Sequence, residues 1–596
     1  MTNNALSLAF ALTLSAAPLS AAPLEELENL AGSPPETAGR VFDNAANRGA
    51  LQDPSPQMTQ QQLRQLLLTD LDSLRNVIAA RYAPAGWKGE LNGWSLDAEI
   101  AKAKAEVAAM PVPSVKEYQK IVARLLASTQ DYHVSIAFLS TEQARLPLAI
   151  TESGGRYYIA GINRKALPEN VFPFKTGDEI TSFGGKDINA AIDEYLAAAN
   201  MHNVPGTDRA MAAMRLTVRA GQLGNDVPQG PVALGIRPAG AAEPVVYNLS
   251  WAYTPELLPP QNFVARAGGV KLPFDWLAVI YSDLQQDGGL AAGYGIGDRE
   301  GFLPDLGEKV WQAPATSLFR AYIYKNPADG RRTAYVRIPT YMIDKPADYA
   351  RDFAKLAAEF QSGADALVID QLNNPGGIVP YMYELLATLT DRPLAVPKHR
   401  ITLTPDDVAS SIRFLQGTDG AKTDADAKTL LGGDDFAGYP ITLDFLNSYR
   451  AMNAAIVKQW GEGKTLTDPI ATFGMDAVPP AYGPRYTKPI LLLTNELDVS
   501  CGDFFPAIMQ DNKRATLFGA RTSGAGGAVR EFQYPNSLLG IASYHLTGTI
   551  AIRPGGQPIE SLGVTPDLPY AMQPGDIQQG FKAYVAAVNA AAAGLR

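Results

Sequence analysis

From residue 331 onward the chain alternates continuous apolar runs of strand length with stretches of helical character. Two of the runs, Ala366-Leu367-Val368-Ile369-Asp370 and Ile490-Leu491-Leu492-Leu493-Thr494, leave no polar face. A strand that is apolar on both sides must be covered on both sides, which calls for a largely parallel sheet between layers of helices. The same alternation predicts a strand over 333–338. It predicts helices over 347–360, from beyond Gly376-Gly377 to Leu389, and over 501–511. Polar and Gly-rich sequence over about 398–485 interrupts the rhythm and reads as an insertion. The expectation is an α/β core over 331–596.

At 596 residues the chain is too long for one core, so further units precede this one. Leu63, Leu66, Leu67, Leu71, Leu74 and Val77 recur at spacings of three and four, the stripe of an amphipathic helix. A second helix is predicted over 115–127, and 23–134 reads as a mainly helical N-terminal region. From Thr151 the pattern changes to short strands and turns. A strand at 156–160 leads to Phe174-Lys175-Thr176-Gly177-Asp178-Glu179-Ile180, and a Gly184-Gly185 turn follows. A helix over 189–199 and strands at 214–219 and 232–237 complete the set. This order over 135–253 resembles a PDZ domain, with Gly177 supplying turn backbone that other residues avoid. Such domains take up an extended peptide at a sheet edge. The stretch 254–330 is rich in Gly and Pro, with Trp276 and Trp311 as bulky anchors, and reads as a loop-rich connection. Gly293, Gly295 and Gly297 do not open a helix after a strand, so they give no dinucleotide-binding pattern.

The net charge of −10 is spread along the chain and offers phosphates no basic surface, which argues against a nucleic-acid partner. Leu6 to Leu19 is apolar and Ala-rich, and Leu19-Ser20-Ala21-Ala22-Pro23 provides small residues for a signal peptidase. Residues 1–22 are therefore expected to be a cleaved signal peptide, and the mature protein periplasmic or secreted. The run is too short to span a bilayer, and no later segment approaches twenty uninterrupted apolar residues, so no membrane span is expected. The one cysteine, Cys501, rules out an internal disulfide and a cysteine-based zinc site. With no His-Glu-x-x-His motif either, no metal or cofactor is expected.

Three segments carry chemistry. The first strand ends in Asn373-Asn374-Pro375-Gly376-Gly377, a turn whose backbone N–H groups are free to hold a developing oxyanion. The second strand leads through Asn495-Glu496-Leu497-Asp498-Val499 to Ser500-Cys501-Gly502-Asp503 at a helix start. The third segment is Ile559-Glu560-Ser561-Leu562-Gly563-Val564-Thr565-Pro566-Asp567. Taken alone, Ser500 is adequately explained as an N-cap, with Asp503 completing a capping pattern.

In this order and spacing the three segments resemble peptidase family S41, the C-terminal processing and tricorn-type serine proteases. The resemblance covers most of 330–570, with the PDZ-like region upstream. It implies a crotonase-like (ClpP/crotonase-type) α/β core and hydrolysis of peptide bonds in protein or peptide substrates through Ser500. One departure bears on the mechanism. The processing branch pairs its serine with a lysine twenty-five positions later, and that position here is Ala525. A serine hydroxyl without a base is a poor nucleophile at neutral pH. The tricorn-like branch uses histidine and glutamate instead. His133, in Asp131-Tyr132-His133, matches its base, and Glu560 matches its acidic position ahead of Gly-Val-x-Pro-Asp. His202, His399 and His545 read as structural, with His545 the reserve candidate. Cys501 could itself be the attacking group. The motif register instead gives it a backbone N–H for the oxyanion hole, together with Gly376 or Gly377.

More narrowly, the chain resembles the chlamydial protease-like activity factor group. That implies a homodimer activated by internal autocleavage, with 254–310 as a candidate inhibitory segment. Two other classes remain. One is a non-catalytic peptide- or ligand-binding scaffold of the same fold, which has no need to keep Ser500, His133 and Glu560 together. The other is a crotonase-type acyl-CoA enzyme, which the export signal and PDZ-like region oppose.

Overall fold

A computed structural model describes residues 58–256, 295–533 and 539–595. The signal peptide expected over 1–22 and most of the candidate inhibitory segment lie outside the described residues.

The sheet expected from the apolar runs has seven strands. Arg332–Arg337, Ala366–Asp370, Ile490–Thr494, Thr516–Gly519 and Leu568–Pro569 lie side by side and parallel. Every residue of Ala366–Asp370 and of Ile490–Thr494 is buried. Helices Pro346–Gly363, Val379–Thr388 and Cys501–Asp511 pack into the core on one side, and Lys582–Ala593 supplies Tyr584, Val588 and Ala592 to the other. The connection expected over 254–330 is loop only in part. Glu308–Gln312 and Ala321–Lys325 extend this same sheet as antiparallel strands.

Residues 398–485 do separate two strands that pair directly, as expected of an insertion. They are not a polar excursion, however. Helices Pro405–Gly417, Asp424–Leu431 and Leu443–Gly461 form within them, and Phe445, Leu446 and Tyr449 of the last, with Phe436 and Phe473 from the connecting segments, enter the core that also holds Leu367 and Leu492.

The N-terminal helices are Gln60–Arg81, Ala85–Asn92, Leu96–Ala109 and Val115–Ala127. The first begins at a capping box, in which Thr59 Oγ1 accepts from Gln62 N at 3.2 Å and Gln62 Oε1 from Thr59 N at 2.8 Å. Its buried face is Leu63, Leu67, Leu71, Leu74 and Ile78. That face does not close on the helices alone, because its core takes in Leu539, Ile541, Tyr544 and Leu546 from the far end of the chain. Strand Ser135–Phe138 continues the tie by pairing antiparallel with Ile541–Thr547, Ser135 opposite His545.

The PDZ-like region is an antiparallel sheet ordered Leu148–Ser153, Arg156–Ile162, Glu179–Phe183, Pro231–Arg237, Val245–Ser250. Gly184 and Gly185, at φ +61° and +78°, make the tight hairpin that returns to Lys186–Asp187. The strand expected at 214–219 is a correction. Helix Pro205–Leu216 runs through most of it, and a strand begins only at Val218. Met214, Leu216 and Val218 alternate because a helix end abuts a strand start, which mimics a period of two.

Candidate active site

Gly376 and Ser500 each follow the carboxyl end of a parallel strand, and those two strands are neighbours in the sheet. This is the edge at which open α/β sheets place their ligands. Ser500 caps helix Cys501–Asp511 with φ +60° and ψ −115°, a backbone conformation that a non-glycine residue adopts only when its surroundings impose it. A sharp strand-to-helix turn of this kind exposes a nucleophile at the edge of a sheet.

Two buried carboxylates impose it. Asp503 accepts from Ser500 N at 2.9 Å, and from Thr522 Oγ1, Ser523 Oγ, Gly524 N and Ala525 N. Burial pushes its carboxyl up to about 6 against the pull of those donors. Asp498 accepts from Asn374 N, Gln371 Nε2 and Asn495 N, each at 3.0 Å, which binds the glycine turn to the serine turn. The capping pattern legible in the sequence is thus present, and it is one part of a larger clamp.

The glycine turn meets Ser500 closely. A Cβ on Gly376 would lie 2.6 Å from Ser500 Cβ and 2.9 Å from Cys501 N. Gly376 N–H itself donates to Asn374 Oδ1 at 2.9 Å. Ile378 N–H donates to Tyr341 O at 2.9 Å. Between them, Gly377 N–H makes no hydrogen bond among the described residues. The amide of Cys501 is the first of its helix and has no partner within it. Two amides are therefore open beside Ser500, those of Gly377 and Cys501, while Gly376 contributes close approach. The Cys501 thiol is buried, donates to Gly377 O at 3.2 Å and is pushed by burial up to about 12, which keeps it a thiol.

Ala525, where the processing branch would place lysine, is fully buried among Met211, Met214, Leu497 and Val499. Tyr132, the neighbour of His133, packs on the same cluster. His133 is half-buried. Its backbone N–H donates to Asp131 Oδ1 at 2.9 Å, and burial lowers the pKa of its ring while the Asp131 carboxylate raises it. His133 Nδ1 and Asp131 Oδ2 have no hydrogen-bond partner among the described residues.

Glu560 is fully buried on the other side of this turn. Its Oε2 accepts from Gly526 N at 3.0 Å and its Oε1 from Lys88 Nζ at 2.6 Å. Burial and the nearby Asp131 carboxylate push it up to about 7, against the ammonium of Lys88. The bonds Ser500–Asp503–Ala525 and Gly526–Glu560 thus run along one continuous segment. No hydrogen bond joins Ser500 to His133 or His133 to Glu560 among the described residues.

Of the other histidines, His545 lies near His133, and none has a hydrogen bond to Ser500 among the described residues. His399 Nδ1 meets Thr549 Oγ1 at 2.9 Å, and His202 N–H donates to Gln130 Oε1. His545 Nδ1 meets Ser135 Oγ at 3.2 Å, and burial with His133 nearby pushes it down to about 4. Sequence reasoning missed Lys88 altogether and saw Asp131 only as part of a motif. A lysine on a short helix more than 470 positions from its partner offers no spacing to read.

Comparison with known proteins agrees with this geometry. The profile of peptidase family S41 matches residues 332–570, and that of a PDZ domain matches 142–261. An uncharacterised protein of Chlamydia muridarum is 32% identical over 563 residues, covering 88% of this chain and 91% of its own. A protein of Chlamydia trachomatis is 32% identical over 560 residues, covering 87% and 91%. The crystal structure of mature CPAF superposes with a TM-score of 0.77 at 32% identity, covering 88% of this chain and 97% of that one. Mature CPAF complexed with lactacystin gives the same TM-score, at 88% and 98% coverage. No helix among the described residues is long and apolar enough to cross a membrane. Likeness to these chains over nearly nine-tenths of its length, with the S41 profile spanning the two turns that meet at Ser500, makes this chain a member of peptidase family S41 and a serine-type endopeptidase.

Proposed function

We propose that Ser500 is the nucleophile, His133 its general base and Glu560 the carboxylate that stabilises the protonated histidine. The observation that carries this reading is the imposed backbone of Ser500 against Gly376, with two open amides beside it. Ser500 Oγ attacks the scissile carbonyl carbon and its proton passes to His133. The resulting oxyanion is held by the N–H groups of Gly377 and Cys501. Collapse expels the amine, which takes the proton back from His133 and leaves an acyl-serine. Water, deprotonated by the same histidine, releases the acid and restores Ser500. The lowered pKa of His133 keeps it an unprotonated base at neutral pH. Glu560 acts across the gap by charge, since its oxygens are committed to Lys88 and Gly526.

Cleavage of casein by the purified protein beside Ser500→Ala, without metal, tests the reading. Activity in the first alone establishes the nucleophile. Equal cleavage by both assigns it elsewhere, with Cys501 the next candidate. Because CPAF has been seen with lactacystin, the same compound is expected to block cleavage here.

The segment from Leu6 to Pro23 supports export to the periplasm or beyond, which N-terminal sequencing of the mature protein checks. The resemblance to the chlamydial protease-like activity factor group implies a homodimer matured by an internal cut, and the CPAF that this chain resembles is itself a mature form. Intact mass and light scattering of active enzyme test both points, and a single uncut monomer that cleaves casein refutes them.

A further inference from the structure

Lys88 lies on the eight-residue helix Ala85–Asn92 and has no exposed surface. Its Nζ donates to three acceptors, each at 2.6 Å: Gln130 O, Glu560 Oε1 and Ser561 Oγ. An ammonium has three donors, so all are used. Two acceptors belong to the segment 560–561. The third belongs to Gln130, a residue at φ +51° three positions before His133. One side chain therefore pins the turn that delivers the histidine to the turn that delivers the carboxylate.

Burying such a pair contributes little to stability, because desolvating both charges cancels most of their attraction, and an apolar pair of the same volume often does as well. Its position beside a hydrolytic site supplies a different reason for it. The groups facing Glu560 are Lys88 from its helix, Tyr82 from the end of helix Gln60–Arg81, Asp131 from the His133 turn, and the Gly526 amide. Trp87 Nε1 and Arg521 cover the same turn, donating to Glu560 O and to Ser561 O. Lys88 is the cation that bonds the Glu560 carboxylate. With it, the cluster holds two carboxylates and one ammonium and becomes neutral when His133 takes a proton. Without it, two carboxylates share a dry site and one must protonate.

We propose that Lys88 is a positioning residue for the hydrolysis, fixing Glu560 against the His133 turn and favouring the ionised form of its carboxyl. This rests on the assignment of Ser500, His133 and Glu560 made above. Burial already pushes the Glu560 carboxyl upward, so loss of the ammonium moves it further in the same direction.

The test is the pH profile of kcat/KM on a peptide substrate for Lys88→Met and Lys88→Arg beside the unaltered enzyme. In Lys88→Met the acid limb is expected to move up by about one pH unit or more, so that activity lost at neutral pH partly returns at higher pH. In Lys88→Arg, which keeps the charge, the limb stays near its original position. In a Glu560→Gln background, Lys88→Met is expected to add no further loss. A merely structural role predicts loss at every pH with the limb unmoved, or additive losses in the double variant, and either result overturns the proposal. If Lys88→Met does not fold by circular dichroism, the arginine variant decides, and a limb displaced despite the retained charge overturns it. Labelling with a fluorophosphonate separates this from the parent assignment. Label on Ser500→Ala equal to that on the unaltered enzyme refutes the serine assignment. Label confined to Ser500 with an unmoved limb in Lys88→Met refutes Lys88 alone.

Discussion

A methyl group at position 376 would fall 2.5 Å from Val499 O and 2.6 Å from Ser500 Cβ, on a backbone at φ +89° that L-residues avoid. Gly376→Ala is therefore expected to displace the serine turn. Activity on casein should fall by about 10²-fold, the scale on which a misplacement of about 1 Å acts. The backbone strain adds a stability cost of about 1–3 kcal/mol, visible as a lower melting temperature. His399 offers a test with a defined pH sign. Burial holds its folded-state pKa at about 4, below the ordinary 6.5. The unfolded chain therefore takes up the proton first as pH falls. The stability held above pH 6.5 is lost between 6.5 and 4 and amounts to about 3 kcal/mol. Urea unfolding of the unaltered protein and of His399→Gln should show their stability difference shrinking over that interval, and a constant difference refutes it. At this scale the sequence was informative where a residue sits in a motif. Ser500 and the glycine pair follow strand ends, and Glu560 stands ahead of Gly-Val-x-Pro-Asp, each with fixed followers. The clamp of Asp503 on segment 522–525 was illegible, because two of its four partners there are backbone amides that any sequence would supply, and the other two are hydroxyls with no spacing to read.

Helix Pro205–Leu216 shows how elements share the site. Met211 and Met214 pack on Leu497 and Val499, and Thr207 Oγ1 donates to Glu496 O at 2.9 Å, four residues before Ser500. Thr207 is fully buried, so Thr207→Val should cost about 1 kcal/mol of stability. If that bond steadies the serine turn in the transition state, kcat/KM falls by up to about five-fold. Thermal melts and steady-state kinetics on the same preparation check both parts. The PDZ-like region is thus joined to the serine turn through a helix that sequence periodicity mistook in part for a strand. Strands 366–370 and 490–494 and helices 115–127 and 501–511 were read to the residue, because caps, glycines or polar ends bound them. The insertion was misjudged in character, since its aromatic residues are spaced among polar ones and show no long apolar run.

On the scale of the molecule, the N-terminal helices, the PDZ-like region and the protease sheet share cores rather than linkers. Periodicity revealed which face of Gln60–Arg81 is buried. It could not reveal that the face closes on Leu539, Ile541, Tyr544 and Leu546. The expected outcome is joint unfolding. With the other four tryptophans replaced by phenylalanine, emission from Trp87 in helix Ala85–Asn92 and Trp94 just beyond it and far-ultraviolet dichroism from the whole chain should share one midpoint, and an earlier fluorescence transition refutes it. Lys88 and Glu560 are separated by 472 positions. A ribosome adding about 5–20 residues per second needs roughly half a minute to a minute and a half to deliver the second after the first. Throughout that interval the ammonium of Lys88 has no carboxylate to meet, and Gly526, next to the segment that Asp503 clamps, lacks its bond to Glu560. With Glu560 in its proposed role, a nascent chain of this protein cannot cut its surroundings or itself until that residue has emerged. The arrangement of its sequence is thereby a safeguard in time as well as a plan in space.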